Sequence, residues 1–330
     1  MMQIEGRVPV VHIGLPKTAT KTLQWRIFAQ HSQIFYLGRF DGAPFERRYQ
    51  QFNACRDETI LKIMDEIAYS NFLNPRIRES RELMQRYLAE YNSDHKLPVW
   101  SWESYSTDNL RNRQARAESL KNLLGTARIV VTIRNPLKLL ESAYLQQLKR
   151  DNIGARFRRG KSAFYCSIED WIKRDHFNDI SNHLDYPNTI KMYVEQFGRD
   201  NVCVMVFEDL VDDGAKFYKK LCGFMGIDSE EAIELAAHKD DNSRWTEEQL
   251  DRLSGIDRSV LKSLQFRFSG RSARKKMLRL DRQGGPMHSA KKASARISSE
   301  LSEVVLERTR TGNEWLEGEF QLRLRKYGYL

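Results

Sequence analysis

Four short apolar runs, separated by amphipathic stretches, constrain this chain more than any other feature. Residues 8–14 (VPVVHIG), 97–102 (LPVWSW), 128–133 (RIVVTI) and 202–207 (VCVMVF) are rich in β-branched or aromatic side chains, and polar loop residues follow each. Runs of this length and composition read as strands buried on both faces. Amphipathic segments occupy residues 20–31, 76–92, 108–124, 136–150 and 187–197. The last two start at Pro136 and Pro187, and proline suits a first helical position because the N–H it lacks would have no intrahelical acceptor there. Strands alternating with helices imply parallel pairing through right-handed crossovers. The expectation is an α/β, three-layer fold: a central parallel sheet flanked by helices. Ligands of such sheets bind beyond the carboxyl ends of the strands, so the residues that follow each run matter most.

A chain of 330 residues suits one large α/β domain, with residues 1–227 as core and 228–330 as a helical, basic extension of the same domain. Beyond about residue 228 the pattern is helical and strongly charged, and residues 262–296 concentrate lysine and arginine around the break Gly284-Gly285-Pro286. Lys and Arg total 54 against 44 acidic residues, a net charge of +10 that favours anionic ligands: a nucleotide, an acidic glycan, nucleic acid or a membrane surface. No recognised nucleic-acid module is present, so nucleic acid is not an expected partner. Contact with a membrane surface through the basic C-terminal region is.

No apolar run approaches the roughly 20 residues of a membrane-spanning helix. The N-terminal stretch MMQIEGRVPVVHIG lacks a signal-peptide pattern. Cys55, Cys166, Cys203 and Cys222 form no CxxC pair and have no adjoining histidine pattern, which argues against a disulfide framework or a zinc site. The expected location is the cytoplasm.

The first run leads into Gly14-Leu15-Pro16-Lys17-Thr18-Ala19-Thr20-Lys21-Thr22-Leu23, which opens a helix. A loop in that position points backbone N–H groups and the positive end of a helix at one place, and two lysines with three threonine hydroxyls add charge and donors. It suits a phosphate or a similar oxyanion. It is not a Walker A loop: counted from Gly14, the second glycine position holds Ala19 and the lysine position holds Thr20, while Lys17 comes early.

These residues resemble the 5′-phosphosulfate loop of sulfotransferases that use 3′-phosphoadenosine 5′-phosphosulfate (PAPS), whose pattern is approximately PKxGTTxL. Pro16, Lys17, Thr20 and Leu23 match; Ala19 stands for the usual glycine and Lys21 for the second threonine. An alanine keeps such a loop intact if its φ is negative. The resemblance implies a P-loop-like fold and assigns Pro16, Lys17, Thr18, Ala19, Thr20, Lys21 and Thr22 to the cofactor. It extends to Arg134, in Arg134-Asn135-Pro136 after the third run, and to Ser142: in this family an arginine and a serine so placed bind the 3′-phosphate. Residues 186–226 resemble the family's late strand and helix. Within them, Glu208-Asp209 reads better as a helix cap or a holder of basic loops than as a metal pair. A basic stretch at 282–292 is the counterpart of a loop that closes on the 3′-phosphate, and residues 151–164 read as a basic loop.

An acceptor hydroxyl must lose its proton as the new bond forms. Glu103 directly follows the second run, and sulfotransferases resembling this chain, the carbohydrate-modifying and several bacterial members among them, use glutamate as base. Glu103 is therefore the expected base, with His176 and His183 next; His12, inside the first run, reads as a core residue. The implied reaction is transfer of a sulfuryl group from PAPS to a hydroxyl of a saccharide or glycolipid, with Lys17 stabilising the leaving oxygen. A sulfuryl group carries less negative charge than a phosphoryl group, so no metal is invoked. Two rivals stay open at this level: a P-loop kinase or NTPase, which needs a Walker lysine and usually a magnesium-binding aspartate, and a non-enzymatic polyanion binder working through the basic C-terminal third.

Overall fold

Five strands pair in parallel in the spatial order β2-β3-β1-β4-β5: β1 Val10–His12, β2 Ile34–Tyr36, β3 Leu97–Ser101, β4 Arg128–Ile133 and β5 Val202–Val206. The computed structural model describes residues 7–38, 55, 57–69, 76–92, 94–154, 163–173, 184–237, 245–278 and 291–330. In register, Val11 lies between Trp100 of β3 and Ile129 of β4, and Ile129 to Ile133 pair one by one with Val202 to Val206. The sequence runs thus become strands as expected, and the class is α/β with a central parallel sheet and helices on both faces.

The described residues gather into two compact units. The first comprises Met1–Asn135, Ser181–His238 and Arg308–Leu330 and contains the whole sheet. Alternate strand residues point to opposite faces, and the two faces have separate apolar layers. Val11, Trp100, Ile129, Val131, Val202 and Val204 pack with helices α2 (Glu58–Tyr69), α3 (Ile77–Tyr91), α4 (Leu110–Leu124) and α7 (Tyr186–Phe197), and with the C-terminal Leu324 and Tyr329. Val10, Val99, Val130, Cys203 and Met205 pack instead with the π-helical turn (Leu23–Phe28) that continues α1 (Thr20–Thr22), and with α9 (Gly214–Met225) and α10 (Ser229–Ala237). A short helix α8 (Phe207–Asp212) follows β5.

The second unit comprises Pro136–Ile180 and Lys239–Glu307. Its helices are α5 (Pro136–Ile153), α6 (Ile168–Lys173), α11 (Glu247–Asp257), α12 (Val260–Phe268) and α13 (Arg271–Met277), and α14 (Ser299–Phe320) begins in it. The helical C-terminal region is as the charge pattern implies. A Thr246–Gln249 capping box opens α11. At its other end Asp257 accepts the Phe164 N–H at 2.8 Å and the Tyr165 N–H at 2.6 Å. The stretch read as a loop from residue 151 begins as helix, since α5 runs to Ile153; residues 155–162 lie outside the described residues.

Candidate active site

The loop after β1 is fastened to its neighbours before it turns. Leu15 N–H donates to the Thr132 carbonyl at 3.1 Å and Thr132 N–H to the Gly14 carbonyl at 2.7 Å, extending the β1–β4 ladder into the loop. The chain then takes left-handed φ values at Gly14 (90°), Lys17 (68°) and Ala19 (64°). Ala19 thus does not meet the condition of a negative φ, and the loop forms with alanine in the left-handed region. Here the backbone keeps the conformation that favours glycine, and only the absence of a bulky side chain makes alanine tolerable. Thr18 and Thr20 are buried, and both hydroxyls donate to the Leu15 carbonyl, at 2.5 and 3.0 Å. These two side chains hold the loop's shape. The first intrahelical bond runs from Leu23 N–H to Ala19 O at 3.1 Å, so the N–H groups of Thr20, Lys21 and Thr22 precede it at the start of the helix. Lys21 is exposed and Thr22 half-buried beside them. Donors in this arrangement fit a phosphate group.

Glu103 opens a 3₁₀ turn, Glu103–Tyr105, just past β3. Trp102 N–H still donates to His12 O at 3.0 Å, which carries β3 alongside β1 to the edge and delivers Glu103 to Gly14. The approach is close: a Cβ on residue 14 would stand 3.3 Å from Glu103 Cα and 3.4 Å from its Cγ. Arg116, buried on α4, fixes this turn by donating to the carbonyls of Ser104 and Thr107, both at 2.7 Å. Tyr193 O–H donates to Tyr105 O at 3.0 Å and Tyr105 O–H to Met64 O at 3.1 Å. Beneath the loop, fully buried His12 has its Nδ1 2.7 Å from Ser101 Oγ, and the Gln24 amide donates to the Ser101 carbonyl at 3.1 Å. Burial drives the His12 pKa down to about 3, so the imidazole stays neutral and belongs to the core, as its place in the strand implies.

Arg134 follows β4 and reaches back to the loop: its Nη1 donates to Lys17 O at 2.9 Å, and its guanidinium carbon lies 4.4 Å from the Phe207 ring centre. The next residue, Asn135, is held from two sides. Its N–H donates to Glu208 Oε1 at 3.1 Å, and its amide donates to the Tyr327 and Gly328 carbonyls at 3.0 and 2.8 Å. Tyr329 O–H closes the ring by donating to Glu208 Oε2 at 2.8 Å. Asp209 accepts from Tyr327 O–H at 2.7 Å and from Arg323 at 3.1 Å. The Glu208-Asp209 pair therefore sits in the first turn of α8 and holds basic and C-terminal groups, as its sequence context suggests.

The structure thus brings Lys17, Glu103 and Arg134 to one edge of the sheet. Ser142 lies half-buried on α5 in the second unit. His176 and His183 fall outside the described residues, as does most of 282–292. Among the described residues, no group of three or more His, Cys, Asp or Glu side chains is placed to hold a metal. Arg116 and Tyr329, and the support that Asn135 gives, carry no signal in the sequence. What marks them is a set of contacts across 9 to 193 residues, which no local pattern carries.

Residues 9–231 match the model of the Sulfotransferase family. None of the curated proteins compared matches the chain. Solved structures similar to it include a sulfotransferase from Alicyclobacillus acidocaldarius, 16% identical, covering 82% of this chain and 99% of that one with a TM-score of 0.44. The sulfotransferase domain of the Synechococcus PCC 7002 olefin synthase is 15% identical, covering 81% and 97% with a TM-score of 0.40. A sulfotransferase from Mycobacterium tuberculosis H37Rv is 13% identical, covering 82% and 76% with a TM-score of 0.39.

Proposed function

Because the chain belongs to the sulfotransferase family, we propose that it moves a sulfuryl group from PAPS to an acceptor hydroxyl by in-line displacement. The observation that carries this reading is the convergence of three strand ends, with Arg134 bonded to Lys17 O and Glu103 packed on Gly14. The acceptor oxygen forms its bond to sulfur as the bond from sulfur to the bridging oxygen breaks. The electron pair goes to that oxygen, and 3′-phosphoadenosine 5′-phosphate leaves.

In this proposal the N–H groups of Thr20, Lys21 and Thr22 bind the 5′-phosphate, with Pro16, Thr18 and Ala19 setting the loop that presents them. Lys17 stabilises charge on the bridging oxygen, an electrostatic contribution that grows as the bond breaks. Arg134 binds the 3′-phosphate with its planar fork, and Ser142 is assigned to the same phosphate on the family resemblance alone. Glu103 takes the acceptor proton. Positioning and electrostatics then supply most of the rate, with no metal invoked.

A saccharide or glycolipid hydroxyl is proposed as acceptor, since a glutamate base resembles the carbohydrate-modifying members. A cytoplasmic setting is supported by four free cysteines, Cys55, Cys166, Cys203 and Cys222. The test is a library of candidate acceptors incubated with labelled PAPS and analysed by mass. A product heavier by one sulfuryl group is expected, and transfer of phosphate from ATP with none from PAPS would overturn the assignment.

A further inference from the structure

Helix α12 (Val260–Phe268) presents its bulky apolar side chains to solvent. Val260 and Leu261 are each 80% exposed, Phe268 72% and Leu264 46%. At 3.6 residues per turn these four positions fall within about 100° of one another, a continuous stripe. Phe266 lies on the opposite side of the helix, is fully buried, and sets its ring edge-on to Phe164 with centroids 5.0 Å apart. Ser263 Oγ donates to Ile256 O at 3.0 Å on the same unit. One side chain anchors the helix while the other apolar ones face outward. That inverts the usual arrangement, in which the apolar stripe faces the core.

The surroundings are cationic. From Arg258 to Leu278 the chain carries seven lysines and arginines and no carboxylate. Arg258, Lys262, Arg271 and Lys276 are exposed on or beside the stripe-bearing helix and on α13. An apolar stripe of Val, Leu and Phe bordered by cations matches a lipid interface: the apolar side chains enter the boundary between headgroups and acyl chains while the cations meet anionic headgroups. A short helix needs both contributions for stable attachment.

We propose that α12, with the cations around it, is a docking surface for an anionic lipid bilayer. It belongs to the second unit and holds whether or not the sulfuryl-transfer reading does. The surface brings the protein to acceptors carried on, or released at, a membrane.

The test is co-sedimentation of the full chain with vesicles of phosphatidylcholine alone and of phosphatidylcholine with phosphatidylserine. The expected result is binding to the anionic vesicles only, weakened at least about tenfold in the double variant Leu264→Glu/Phe268→Glu, because each exposed apolar group is turned into a charge repelled by the lipid. Lys262→Ala/Arg271→Ala should weaken it by about tenfold or more through loss of two charges, at roughly 1 kcal/mol each. All four side chains are solvent-facing, so melting temperatures should match the parent's. Absence of vesicle binding overturns the proposal. So does binding that the glutamate variants leave unchanged, since charge alone then explains it. Sedimentation equilibrium showing a dimer that the same variants dissolve would give the stripe to a second copy and overturn it too, as would equal competition by single-stranded DNA for the apolar variants and the parent.

Discussion

Arg134 and Lys17 are joined main chain to side chain: the guanidinium Nη1 donates to the Lys17 carbonyl over 2.9 Å, so the end of β4 sets the height of the loop after β1. Lys17 itself stands at a φ of 68°, in the left-handed region. One residue proposed to read the nucleotide's 3′-phosphate thus also shapes the loop proposed to hold its 5′-phosphate.

That double role makes Arg134 costly to remove. Binding of 3′-phosphoadenosine 5′-phosphate to Arg134→Ala should weaken by about 10- to 100-fold, the range for a lost charged hydrogen bond, and Ser142→Ala by less than about tenfold. Titration calorimetry checks both. In the parent, this nucleotide should raise the melting temperature well above the shift given by AMP; equal shifts would remove the case for a 3′-phosphate site.

Glu103 separates chemistry from binding. Glu103→Gln keeps the shape packed against Gly14 but accepts no proton, so turnover should fall by about 10²–10⁴ with nucleotide affinity nearly unchanged. Lys17→Ala should lower both, because it meets charge present before and during transfer. Near-normal turnover of the glutamine variant, measured beside its nucleotide affinity, would exclude Glu103.

Ala19 sits at a φ of 64°, where an L side chain costs about 1–2 kcal/mol. Ala19→Gly removes that cost but gives the unfolded chain more freedom, worth about 0.4–1 kcal/mol the other way. The expected net is a small gain, read as a melting temperature equal to the parent's or about 1–2 °C higher. Ala19→Val should melt lower and lose the nucleotide-induced shift, since a β-branched residue resists this conformation. A valine variant as stable as the parent would contradict the left-handed assignment.

His12 gives the fold an acid-side limit. Its folded pKa lies at about 3 against 6.5 unfolded, because burial disfavours the cation. Between those values the unfolded chain binds the extra proton, so stability is complete above about pH 6.5 and is lost as the pH falls toward 3. His12→Gln should therefore show a flatter melting temperature between pH 7 and about pH 5 than the parent. Parallel curves for the two proteins would remove His12 from the account.

Where local chemistry decides the outcome, the sequence already shows it. The run at 128–133 is β4 residue for residue, and Asn109 caps α4 by accepting the Asn112 N–H at 3.0 Å within the helix expected from residue 108. Strand β2, only Ile34–Tyr36, was missed because three apolar residues after a helix carry no period; the sheet completes it, pairing Tyr36 with Val99. The candidate site divides the same way. Lys17, Glu103 and Arg134 stand out because each directly follows a strand. The φ of Ala19 and the diversion of Thr18 and Thr20 to Leu15 O are imposed by the neighbouring strands, and residue type alone could not announce them.

The clamp on Asn135 carries a consequence for biosynthesis. Its acceptors, the Tyr327 and Gly328 carbonyls, lie 192 and 193 residues further along, and Tyr329 lies 121 residues beyond the Glu208 it bonds. A chain growing from its N-terminus can pair all five strands once β5 has emerged, yet the turn bearing Arg134 lacks its last supports until the final helix has been made. Nascent chains halted before that point would hold the sheet without the finished edge at which anion binding is proposed. The proposed nucleotide site would therefore be complete only once residues 327–329 have emerged, well after the core has something to fold around.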